Sequence, residues 1–180
     1  MMRVLSCLLM AALLSAGCVG QGAPSGGDAP ARLQPGTGET LASIIRAIGV
    51  QIYECHARTG GPGPHEWVFI APEADLFDRA GKRVGRHYAG PHWEASDGSK
   101  VTGSLRERVD APSPDAIAWL LLSAVSTGPA GAFSKVSSIQ RLHTVGGGAP
   151  PSGCAPNTAG SRTRVYYSAD YYLFTKQGER

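Results

Sequence analysis

The sequence predicts an all-β protein, a single antiparallel β-sandwich or barrel closed by one disulfide, behind a signal peptide and a flexible tether. Three observations predict it. From Gly49 onward, short runs rich in β-branched and aromatic residues are separated by clusters of Gly, Pro, Asp and Ser at intervals of about ten residues. With 24 Gly and 13 Pro in 180 residues and only 17% charged residues, the chain has little material for long solvent-facing helices. Cys55 and Cys154 are the two thiols left once the N-terminal region is set aside, and two thiols in an exported chain point to one cross-link. A two-cysteine metal or redox site is the rival reading, without a CxxC spacing to support it.

The order starts with an address. Arg3 precedes an apolar run from Val4 to Leu14, too short for the roughly 20 residues a bilayer requires, and Ser15-Ala16-Gly17 follows as a small-residue cleavage site. Leu14-Ser15-Ala16-Gly17-Cys18 resembles the lipobox of bacterial lipoproteins, with Ser15 in place of the commoner Leu. That resemblance implies a signal peptide over residues 1–17, lipidation of Cys18 and attachment to the cell envelope, at the outer membrane if the cell has one, since Val19 follows the cysteine. Plain secretion with cleavage near Ala16 is the competing outcome. Residues 18–38 then hold the lipidated Cys and a Gly/Pro/Ala-rich stretch that reads as a linker reaching about 25 Å as a flexible coil. Residues 39–180 form the domain.

Within it, Val50–Cys55 and Glu66–Ile70 read as neighbouring strands. Ala74–Phe77 and Arg83–Tyr88 flank Asp78-Arg79-Ala80-Gly81, a hairpin in which Gly81 supplies a positive φ. His92–Ala95 and Lys100–Gly103 flank Ser96-Asp97-Gly98-Ser99, where Asp-Gly marks a turn. Trp119–Val125 is apolar enough to be buried on both faces, and Val136–Val145 and Val165–Phe174 complete the set. Two segments stay open on local grounds. Leu41, Ile44, Ile45 and Ile48 fall at helical spacing, and residues 116–126 follow Pro114 and Asp115 like a core helix.

Longer stretches carry a resemblance. Gly49–Cys55, Trp67-Val68-Phe69 with Ala71-Pro72-Glu73-Ala74, His87–Glu94 and Asp97–Val101 occur in one order with Trp119–Leu122, Ile139-Gln140-Arg141, Gly153-Cys154 and Ala169–Tyr172. From about Leu41 to Phe174 these segments resemble the exported domain-of-unknown-function family 3455 of bacteria and fungi. The resemblance implies a secreted, mostly β domain with a cysteine pair matching Cys55 and Cys154, favours strand for both open segments, and implies no activity.

Function is approached from side chains. Seventeen Lys and Arg against 14 Asp and Glu, a net charge of +3 without a basic run, give nucleic-acid binding no support. No cofactor is expected, since Gly146-Gly147-Gly148 lacks the GxGxxG spacing. No GxSxG occurs either. His87, His92 and Glu94 form HxxxxHxE, with His92 and Glu94 on one face of a strand, and they support the alternative of a metal-dependent hydrolase. The favoured reading is a non-catalytic envelope module that binds a small molecule, glycan or partner protein through aromatic side chains, with Tyr88, Trp93 and Tyr172 as candidate contacts. Tyr171 and Tyr172 are expected on opposite faces of their strand, and Arg162 and Arg164 at a solvated sheet edge.

Overall fold

The computed structural model describes residues 29–58 and 64–178. The expected signal peptide and the lipidated Cys18 lie outside the described residues. Eight strands follow one another: β1 (Glu39–Ala57), β2 (His65–Phe77), β3 (Arg83–Tyr88), β4 (His92–Ala95), β5 (Lys100–Val109), β6 (Trp119–Ser126), β7 (Val136–Gly146) and β8 (Arg162–Lys176). Each pairs antiparallel with the next, and β8 returns to pair with β1 from Glu39↔Lys176 to Glu54↔Arg162. The sheet is therefore a closed up-and-down barrel. Closure removes the edges, so Arg162 and Arg164 do not sit at one: they reach across to Glu54 on β1 and Glu73 on β2.

Both locally ambiguous segments are strand. Residues 41–48 fall in β1 and residues 119–126 form β6, because pairing on both sides outweighs the helical spacing of a few apolar residues. Strand alternation sends Ile45, Ala47, Leu76, Trp93, Val101, Leu122, Ile139, Tyr171 and Leu173 into the barrel, where they make the main core. The anticipated hairpins are present, with Gly81 and Gly98 at φ 79° and 86°. β2 differs from expectation in running straight through Ala71-Pro72 as one strand.

The lower end of the barrel is sealed. Asp97 in the β4–β5 turn accepts hydrogen bonds from Ser99 N and Oγ (2.9 and 2.6 Å) and from Ala132 N (2.8 Å), and Ser99 Oγ accepts one from Phe133 N (3.0 Å). These pull the β6–β7 loop beneath the barrel and hold Phe133 and Val136 in the core.

A second core lies on the outside. The expected linker is packed against the barrel from Ala29 on: a single 3-10 turn, Ala31–Leu33, buries Leu33 completely against Trp119, Leu121, Leu142, Tyr172 and Phe174. Gln140 Nε2 donates to Leu33 O at 2.7 Å. This strap explains why Tyr171 and Tyr172 are both buried although they face opposite ways: one packs inside the barrel, the other under the strap. Elsewhere the outer face carries ion pairs, among them Arg83–Asp75 and Arg86–Glu94, the reverse of the apolar exterior of lipid-facing strands.

Candidate functional site

The upper end is open because its wall is uneven. β3 and β4 have six and four residues and turn back at Pro91, while β1 and β2 have 19 and 13 and rise past them. An eight-stranded barrel is just wide enough to be filled by side chains or to admit one small ligand. Here the lower half is filled and the upper half encloses a cavity of about 520 Å³, within the range of small-molecule sites. Its floor is His87, Trp93, Leu122 and Tyr171. Gln51, Tyr53, Pro72 and Arg141 form the walls, and Phe69, Leu105, Arg108 and Ala149 reach the rim.

Two loops shape the mouth. The β7–β8 loop is tied to β1 by the Cys55–Cys154 disulfide, and the segment before β6 is laced to it by Ile117 N→Gly146 O (2.9 Å) and Gly148 N→Asp115 O (2.9 Å). Tyr53 Oη donates to Gly147 O at 2.6 Å, joining the cavity wall to the same loop.

The floor is an aromatic stack. His87 lies flat on Trp93 at 4.1 Å between ring centroids, and Tyr171 meets both edge-on at 5.4 Å. β5 makes room for it with Gly103, where any Cβ would come within 2.7 Å of the Trp93 ring. His87 Nδ1 donates to His92 O at 2.8 Å; since a carbonyl only accepts, this fixes the tautomer and leaves Nε2 as an acceptor. Burial lowers the pKa of His87 to about 3, so the ring is neutral at ordinary pH.

Polar groups in this cavity are unequally served. Gln51 and Trp93 are each 2% exposed, yet Gln51 Nε2 and Trp93 Nε1 have no hydrogen-bond partner among the described residues. The Tyr171 hydroxyl, also fully buried, sits beside the Tyr167 hydroxyl and the Arg141 guanidinium, and burial raises its pKa. Arg141, half-buried, directs Nε and Nη2 at one neutral acceptor, Ala118 O (3.0 and 2.8 Å), and makes no ion pair among the described residues. An unpaired buried donor costs about 1–3 kcal/mol, and native interiors rarely contain several together.

The residues singled out from sequence are divided by the barrel wall. Trp93 is in the floor. His87 is beside it, but His92 and Glu94 face outward, as their shared strand face required. Glu94 accepts from Arg86 Nη2 (2.9 Å) and Tyr88 Oη (2.5 Å), while His92 Nδ1 bonds Ala89 O (2.7 Å) and stacks on Tyr88. The three groups of HxxxxHxE do not converge, and no cluster of three His, Cys, Asp or Glu able to hold a metal exists among the described residues. Tyr88 lies on the outer wall and Tyr172 beneath the strap, so neither lines the cavity. Gln51, Tyr53, Arg141 and Tyr171 were missed. A signal for Gln51 was present: it alternates with Ala47, Gly49, Tyr53 and Cys55, but Ile44, Ile48, Val50 and Ile52 make the opposite face equally apolar and conceal which side is the inside.

The family model described as Protein of unknown function (DUF3455) matches residues 35–175. No curated protein and no solved structure matches the chain.

Proposed function

Because the chain belongs to the DUF3455 family, whose description assigns no activity, we propose its function from its own geometry: a non-catalytic binding module that holds a small molecule in the mouth of the barrel. One observation carries the reading. A cavity of about 520 Å³ at the barrel mouth has an aromatic floor of His87, Trp93 and Tyr171 and the Arg141 guanidinium in its wall, the mostly apolar lining with few polar groups that marks small-molecule sites. A concave pocket of this volume with an aromatic floor suits a small molecule. A hydrolase built on His87, His92 and Glu94 gains nothing from this geometry, since the barrel wall separates His87 from Glu94.

Fluorescence titration with N-phenyl-1-naphthylamine, a neutral probe of suitable size, tests the site. Saturable binding at micromolar concentration is expected, with quenching of tryptophan emission. Ala149→Trp, which places a bulky ring at the exposed rim without touching the core, is expected to weaken it at least tenfold. Binding unaffected by that ring would place the probe elsewhere and sink the proposal.

We further propose that the module works at a membrane, tethered through Cys18. Replacement of Cys18 by Ala is expected to move the protein from the membrane to the soluble fraction, and unchanged fractionation would exclude the anchor.

A further inference from the structure

The charged groups among the described residues lining the cavity are of one sign. Arg141 carries five N–H donors and no acceptor, two of them spent on the Ala118 carbonyl and another beside the Tyr171 hydroxyl. Arg108, which pairs with the exposed Asp110 at 3.4 Å, adds a second guanidinium at the rim, and no Asp or Glu lines the cavity among the described residues. Glu73 and Glu94 on neighbouring strands are engaged outside the barrel, by Arg164 and Arg86. His87 in the floor is held neutral by its burial, and so is Tyr171, whose pKa burial raises, so neither supplies a counter-charge. A half-buried guanidinium in the wall above an aromatic floor, with no acid among the described lining residues, matches a ligand that brings acceptor oxygens and negative charge on an apolar body.

On the reading that the barrel mouth is a ligand site, we infer that its ligand is an aromatic or otherwise apolar molecule bearing one oxyanion, a carboxylate or sulfonate, which Arg141 binds through its free donors while the ring system rests on Trp93 and His87. Arg108 at the rim favours entry of anions.

A matched pair of probes tests this: 8-anilinonaphthalene-1-sulfonate, and N-phenyl-1-naphthylamine, which has the same rings without the charge. Wild type is expected to bind the sulfonate about tenfold more tightly than the amine, with affinity falling as salt rises. Arg141→Met is expected to weaken the sulfonate by about 10- to 100-fold and the amine by much less, so that the preference for the sulfonate is lost. Arg141→Lys, which keeps the charge but loses the planar fork, is expected to fall between. Ala149→Trp is expected to weaken both probes. Equal affinity for the two probes in wild type, a comparison that needs no variant to fold, would overturn the anion assignment and leave the binding site standing. An Arg141→Met protein with native circular dichroism and undiminished sulfonate binding would do the same. Failure of both probes to bind wild type would overturn the site itself.

Discussion

At the scale of single residues, His87 shows what the barrel interior does to a titratable group. In the unfolded chain its pKa is near 6.5; in the fold burial lowers it to about 3, with the charge of Arg141 adding to the effect and the hydrogen bond to His92 O opposing it. The unfolded state therefore binds a proton that the folded state refuses between those values. Stability is whole above pH 6.5 and declines as pH falls, by up to about 1.4 kcal/mol per unit. Glu39 and the other carboxylates with lowered pKa lose their contribution only further down, below about pH 4.5. Urea unfolding at pH 7.5 and 5.0 is expected to show wild type losing about 2 kcal/mol more than His87→Phe, which keeps the ring stack on Trp93. Identical losses in the two proteins would mean that His87 is not held neutral.

At the scale of elements, the strap Ala29–Leu33 is the part that composition alone misjudges. Val19 to Gly38 reads as linker because Gly, Pro and Ala dominate it, and Leu33 is a single large apolar residue in an otherwise featureless stretch. Its value comes from what it covers: Trp119, Leu121, Leu142, Tyr172 and Phe174 all point out of the barrel and form one apolar patch. Those outward residues explain why β6 reads as buried on both faces in its first half, whereas Val125 beyond the strap is 65% exposed. Leu33→Ala is expected to cost about 2–4 kcal/mol in chemical denaturation, with faster hydrogen exchange concentrated around Gln140. A loss below 0.5 kcal/mol would show the strap to be decorative.

At the scale of the whole molecule, the Cys55–Cys154 disulfide spans 99 residues and ties β1 to the β7–β8 loop that frames the cavity mouth. In the chain-entropy model a closure of that length contributes about 4–5 kcal/mol. The Cys55→Ala, Cys154→Ala double variant is expected to melt on the order of 15 °C lower than wild type and to bind N-phenyl-1-naphthylamine more weakly, since Gly147 and Ala149 belong to the loop it releases. A destabilised protein with unaltered binding would separate the disulfide from the site.

The sequence by itself determined strand content, both hairpin turns and the cysteine pair, because alternation, Asp-Gly dipeptides and the resemblance across residues 41–174 are properties read along the chain. Which face of β1 turns inward, whether the sheet closes, and that Gln51, Arg141 and Tyr171 from three different strands share one cavity were decided only in three dimensions. The physical reason is long-range pairing. β1 meets β8 across more than a hundred residues, and closure gives the sheet a single interior; until then, an apolar run such as Ile44 to Ile52 has two equivalent faces and no inside.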